Sequence, residues 1–151
     1  MQHSDKYILI IEDNPDDGLL TKRALKKLHY TNITLVDSGT EALSLLFETE
    51  KGEDTSKKSN TQTRAIPDLI LLDLNLPIID GFTILKKIRK HPSTKNIPVI
   101  VLTSSGEEKD IVRSYELGAN SYIQKPVDFI EFEKAAVLIS EYWLTLNVTP
   151  G

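Results

Sequence analysis

The feature that most constrains this chain is the run Leu69 to Leu72, followed at once by Asp73. Four consecutive apolar residues without alternation read as a strand covered on both faces, the pattern of a parallel sheet with helices on either side. Asp73 falls where that strand ends, and Pro77 and the Asp80–Gly81 pair then turn the chain. A carboxylate at the mouth of a buried strand costs free energy unless a cation, a hydrogen bond or a reaction uses it. In open α/β sheets the carboxyl ends of the strands are where ligands sit. Asp73 is therefore the chemical centre around which the other residues are read.

The same grammar recurs along the chain. Tyr7 to Ile11 is an apolar run ending in Glu12–Asp13. Asn14–Pro15 breaks it, and Asp16 and Asp17 suit the first turn of a helix, an exposed acidic turn at its positive end, running from about Pro15 to His29. Asn32 to Val36 reads as a second strand, and Thr40 to Phe47 as a second helix. After Asp73, Phe82, Leu85 and Ile88 give helical spacing over Gly81 to Lys90. Ile97 to Leu102 is a fourth buried strand ending at Thr103, Glu107 to Leu117 a fourth helix closed by Gly118, and Ser121 to Gln124 a short fifth strand before Lys125–Pro126. Asp128 is placed to cap a last helix whose stripe is Phe129, Phe132, Ala136, Ile139 and Trp143. Strand and helix thus alternate five times, which predicts an α/β fold, a doubly wound parallel (βα)5 sheet with right-handed crossovers.

Residues 6–143 read as one domain, with 144–151 as a C-terminal extension. Residues 48–64 contain no large apolar residue and cannot bury a face. They read as a polar insertion between helix 2 and strand 3, of a kind that costs little entropy at a surface. The net charge of −4 argues against direct DNA binding. Without cysteine there is neither a disulfide framework nor a thiolate metal site. No window is long and apolar enough for a membrane span and the N-terminus lacks a leader pattern, so a cytoplasmic protein is expected.

In a parallel sheet the ends of these strands share one edge, so Glu12, Asp13, Asp73, Thr103 and Lys125 meet in one cleft. Each alone has a bland reading, as turn residue, cap or surface lysine; the joint set is what points to chemistry. Three crowded carboxylates repel, and a hard divalent cation relieves this. Asp13 and Asp73 suit direct ligation, the backbone carbonyl of Asn75 supplies another oxygen, and Glu12 acts through water. Mg2+ is the expected ion, with Mn2+ as a substitute. Lys125 pairs with Asp73 and then with a phosphate oxygen, and Thr103 offers a hydroxyl. The set suits phosphoryl transfer to Asp73 as nucleophile.

In order and spacing, Glu12–Asp13, Asp73 to Pro77, Asp80–Gly81, Thr103, Tyr122 and Lys125–Pro126 resemble the response-regulator receiver domain of two-component signalling. The resemblance covers about Lys6 to Trp143. It implies a flavodoxin-like sheet of order 2-1-3-4-5, Asp73 as phosphoacceptor, Glu12 and Asp13 completing the metal site, and Thr103 and Lys125 contacting the phosphoryl group. It also implies Tyr122 as a switch residue following Thr103, and a cis Lys125–Pro126 peptide. Such a protein is a signalling phosphoacceptor rather than an enzyme, with at most weak self-phosphorylation and autodephosphorylation, and its partner is a sensor histidine kinase.

The stretches Val99 to Ser105, Ser114 to Leu117, Asn120 to Tyr122 and Tyr142 to Pro150 are similar to single-domain regulators that partner phytochrome histidine kinases. That likeness implies a homodimer through helix 4, strand 5, helix 5 and the tail, with Ile111, Tyr115, Tyr142, Trp143, Leu144, Leu146 and Val148 on its surface. Two rivals stand beside this reading. A Mg2+-dependent phosphatase acting on small molecules would want a second acid two residues after the nucleophile, where Asn75 stands. A degenerate, purely protein-binding receiver would have lost an active-site group, and none is lost.

Overall fold

The computed structural model describes residues 5–47 and 66–150. Five parallel strands, β1 (Tyr7–Ile11), β2 (Asn32–Val36), β3 (Leu69–Leu72), β4 (Val99–Thr103) and β5 (Ser121–Gln124), form one sheet in the order β2-β1-β3-β4-β5. Helices α1 (Pro15–Lys27), α2 (Gly39–Phe47), α3 (Gly81–Lys90), α4 (Glu108–Glu116) and α5 (Phe129–Glu141) alternate with them. This is the flavodoxin-like order expected. The predicted insertion at 48–64 lies outside the described residues.

The pleat divides the strand side chains between two cores. Leu9, Ile11, Ile70, Leu72, Val99 and Val101 pack under α2, α3 and α4 with Ile84, Leu85 and Ile88. Ile8, Ile10, Leu69, Leu71 and Ile100 pack the other way, against Leu25, Tyr30 and Ile139 of the α1–α5 side. Strand β3 is buried at every position, which is why its sequence carries no alternation.

Helix ends follow local chemistry. Asn14 caps α1 by accepting from the amides of Asp16 and Asp17, Asp80 caps α3 through the Thr83 amide, and Asp128 caps α5 through those of Ile130 and Glu131. Helix α1 stops at Lys27 rather than at His29. His29 adopts φ 71°, and the Tyr30 and His29 amides close back on the Leu25 and Lys26 carbonyls, a Schellman ending with histidine in the left-handed position. Gly118 does the same for α4 at φ 106°. Strand β4 begins at Val99 rather than Ile97 because Pro98 has no amide to give to the ladder.

Two expectations are corrected. The Lys125–Pro126 peptide is not cis; no cis bond occurs among the described residues. Trans is the lower-energy isomer of an X–Pro bond by about 0.5–1 kcal/mol, and the Lys125 amide donates to the Thr103 carbonyl at 2.7 Å. The second concerns the tail. A π-helical turn, Tyr142–Leu146, continues α5, and Leu144, four residues beyond buried Ser140, lies at 6% exposure among the α1–α5 core residues, with Trp143 packed alongside. Leu144 therefore belongs to the core and not to a partner surface. Leu146 and Val148, at 73% and 90% exposure, remain outside. Among the described residues no helix is long and apolar enough to cross a membrane.

Replacing Leu144 with Ala should cost about 2–5 kcal/mol, as a buried leucine does. Urea unfolding measures it; a loss within about 0.5 kcal/mol, the range of surface positions, would return Leu144 to the surface.

Candidate functional site

The ladder brings the site together at the strand ends: Glu12, Asp73 and Lys125 directly follow β1, β3 and β5, and Thr103 ends β4. The Glu12 amide donates to the Val36 carbonyl and the Asp73 amide to the Ile11 carbonyl, each at 3.0 Å. Thr103 is in register with Gln124, and the next residue, Lys125, is tied to the Thr103 carbonyl. Glu12, Asp73, Thr103 and Lys125 are thus fixed by backbone at the carboxyl edge of the sheet, Thr103 and Lys125 one and two residues beyond the row that holds Asp73. Gly81 permits the return of α3: a Cβ there would lie 2.6 Å from the Asp73 carbonyl oxygen and 2.7 Å from Leu74 Cα.

Lys125 is the hub. Its Nζ lies 2.8 Å from Glu12 Oε1, 2.8 Å from Asp17 Oδ2 and 3.0 Å from Asp73 Oδ2. An ammonium has three donors, and three carboxylates receive them. The other Asp73 oxygen, Oδ1, accepts the Asn75 amide at 3.2 Å. Glu12 Oε2 accepts the Asn14 amide at 3.1 Å.

Burial divides the two buried acids. It pushes the Glu12 carboxyl up from 4.5 to about 8, reinforced by a hydrogen bond shared with Asp73 and only partly opposed by Lys125. Burial would raise Asp73 too, but that shared hydrogen bond, the nearby Thr103 hydroxyl, the Lys125 ammonium and the Asn75 amide together hold it below its usual range. In the metal-free chain the shared proton is thus favoured on Glu12 and the charge on Asp73. Lys125 is held protonated: burial disfavours its charge, but bonds to Asp17 and Glu12 and the charge of Asp73 raise it above the ordinary lysine value.

Thr103 is fully buried, and its Oγ1 has no formed hydrogen bond, the Asp73 influence being one of proximity. A buried hydroxyl left open beside a nucleophile is a donor waiting for an acceptor. Tyr122 is half-buried, and its hydroxyl donates to the Ser105 carbonyl at 2.9 Å. The Ser105 hydroxyl in turn donates to Asp110 Oδ2 at 2.6 Å. The β4–α4 loop is thereby pinned by β5 on one side and α4 on the other.

The residues fit a divalent cation. Glu12, Asp13 and Asp73 each offer a carboxylate oxygen, all within 4.8 Å of one another, an all-oxygen set of the kind hard cations take. Asp13 is exposed, open to solvent ligands, while Glu12 and Asp73 are buried.

Asp17 is the residue the sequence reading assigned wrongly. It is no mere acidic turn; it reaches Lys125. The available signal was its place at the third helical position after the Asn14 cap, on a helix beginning at the functional edge. Asp16 is exposed, as expected of a helix-start acid. Of the expected partner-surface residues, Tyr115 and Tyr142 are exposed and Ile111 is half-buried.

Comparison with known proteins identifies the family and the fold. The family model for the response regulator receiver domain matches residues 8–137. Probable methanogenesis regulatory protein FilR2 of Methanothrix harundinacea is 37% identical over 95% of this chain and 87% of its own length. Response regulator Rcp1 of Synechocystis is 34% identical over 97% of this chain and 94% of its own. Among solved structures, the phosphorylated cyanobacterial phytochrome response regulator RcpA matches with a TM-score of 0.80 and 35% identity, covering 97% of this chain and 99% of that one. The Mn2+-bound form of Rcp1 gives 0.80 and 33% over the same shares.

The raised Glu12 carboxyl sets a pH dependence. The folded, metal-free chain keeps a proton that the unfolded chain releases above about pH 4.5, so stability falls as pH rises from about 4.5 to about 8 and the penalty is complete above that. Asp73 acts in the opposite sense and at lower pH: its contribution is present above 3.8 and is lost as pH falls through its lowered value. Thermal melts in chelator should show the midpoint dropping by several degrees across the Glu12 window, and Glu12→Gln should flatten that slope. An equally steep slope in the variant would assign the titration to another group.

Proposed function

This chain belongs to the response regulator receiver domain family, and we propose that it works as a phosphoacceptor switch charged by a sensor histidine kinase on Asp73. The observation that carries this is the buried Asp73 carboxylate, held ionised against burial and facing the Lys125 ammonium at 3.0 Å. An Asp73 oxygen attacks the phosphorus of a phosphohistidine. The O–P bond forms as the N–P bond breaks, and the electron pair leaves on the imidazole nitrogen. Lys125 exchanges Asp73 for a phosphoryl oxygen, and the open Thr103 hydroxyl donates to another. Glu12, Asp13, Asp73 and the Asn75 backbone carbonyl would hold Mg2+, with Mn2+ as a substitute. When bound, the cation offsets negative charge on the transferring group.

The output we infer runs through the β4–α4 loop. Thr103 moving toward the new phosphoryl oxygens draws the backbone beside Ser105, where Tyr122 is hydrogen-bonded, and biases α4 and β5. The likeness to Rcp1 and RcpA favours a phytochrome-type kinase as donor, and a cytoplasmic setting follows from that partner. A homodimer through α4, β5, α5 and the tail is supported by exposed Tyr115, Tyr142, Leu146 and Val148. A small-molecule phosphatase is disfavoured by Asn75, which supplies no acid.

Incubation with acetyl phosphate and Mg2+ should add one phosphoryl group, seen by intact mass, and Asp73→Asn should abolish it. Labelling that persists in Asp73→Asn would sink the assignment. In a kinase panel, phytochrome kinases should transfer fastest; no preference for them removes the narrower partner. For the dimer, Leu146→Glu with Val148→Glu should halve the sedimenting mass without lowering stability, whereas a wild-type monomer at high micromolar concentration rules the dimer out.

A further inference from the structure

We propose that Asp17 is a positioning residue for phosphoryl transfer: it holds the Lys125 ammonium at Asp73 and keeps it there once Asp73 carries the phosphoryl group. The inference rests on the reading of Asp73 as phosphoacceptor. Of the three acceptors around Nζ, Asp73 is itself phosphorylated, becoming an acyl phosphate. Glu12 shares the oxygen cluster that fits a cation. Asp17 is outside that cluster and has the lysine as its side-chain partner at 2.8 Å. It is the one acceptor whose tie to Lys125 does not have to change during the reaction.

The helix is built to present it. Asn14 Oδ1 accepts from the amides of Asp16 and Asp17, at 3.0 and 3.1 Å. The Asp17 carbonyl accepts the Thr21 hydroxyl at 2.8 Å. The next residue, Gly18, sets α1 against Leu35, where a Cβ would meet the side chain at 3.1 Å. Helix α1 is further clamped to α5 by Lys27 and Glu133 at 2.8 Å. The Asp17 side chain is 23% exposed and Lys125 only 7%, so Asp17 closes the solvent side of the lysine. Its geometry matters because a flexible four-carbon stem loses its aim when one of its three anchors is removed. Helix docking does not depend on Asp17, since the cap and the α1–α5 contacts remain.

The test is the rate of phosphorylation by acetyl phosphate, followed by intact mass across a Mg2+ titration. Asp17→Ala should slow the rate at saturating Mg2+ by about 10- to 100-fold, the scale of a displaced active-site group. The Mg2+ concentration for half-maximal rate should stay where it is in wild type, and Asp17→Glu should recover part of the rate. In a Lys125→Ala background, Asp17→Ala should cause no further loss. A wild-type rate in Asp17→Ala overturns the proposal, as does a loss fully restored by more Mg2+ or one that adds to that of Lys125→Ala. Thermal melts accompany each variant; should Ala disturb α1, the near-isosteric Asp17→Asn carries the same comparison. A wild-type chain that takes no phosphoryl group overturns the reading of Asp73 itself, whereas a labelled wild type with an indifferent Asp17 removes this inference alone.

Discussion

The Lys125 ammonium is the interaction on which the rest depends. It is the shared counterion of carboxylates delivered by β1, β3 and α1, and it arrives at the end of β5. Removing one member of such a buried cluster leaves the others uncompensated, which is costlier than the net worth of the pairing. The site is therefore a set of mutual conditions. Asp73 can stay ionised while buried because Lys125 is charged, and Lys125 can stay charged while buried because acids surround it.

This arrangement also distributes labour between two acids that composition alone would treat as equal. Glu12 and Asp73 are both buried at the edge of adjacent strands, yet in the metal-free chain the carboxyl of one is raised and that of the other lowered. The difference lies in what each oxygen receives. Each accepts from the Lys125 ammonium and from one backbone amide, Asn14 for Glu12 and Asn75 for Asp73; the hydrogen bond they share and the nearby Thr103 hydroxyl favour the charge on Asp73. Thr103, buried with an unused hydroxyl, completes a site that is over-supplied with acceptors at Lys125 and under-supplied beside Asp73.

Most of the fold was legible because burial on both faces leaves an unmistakable trace: β1, β3 and β4 are unbroken apolar runs, and a polar or charged residue ends each at one edge. Glu12, Asp73 and Thr103 could be grouped from that rule alone, and Lys125 joined them through the topology that brings the end of β5 to the same edge. Asp17 could not, because an acid in the first turn of a helix is adequately explained by the helix dipole, and only the placement of α1 over the edge reveals its second use. Leu144 was misjudged for a related reason. In sequence it reads as part of an extension past the last helix, whereas the helical path continues through Tyr142–Leu146 and places Leu144 four residues beyond buried Ser140. The end of α1 was also set by conformation rather than composition, with histidine where glycine is usual.

The pleat has a consequence for how such a chain can diversify. The tail, through Leu144 and Trp143, belongs to the layer beneath α1 and α5, whereas Tyr122 and the underside of α3 belong to the opposite layer. The sheet lies between them as a stiff partition. Beyond the anchor at Leu144, exposed tail positions such as Leu146 and Val148 can change while the layer that responds to the active site keeps its own packing. Each side of the partition is free to be rewritten on its own schedule, and the strands, buried from both directions, are the part that neither side can alter alone.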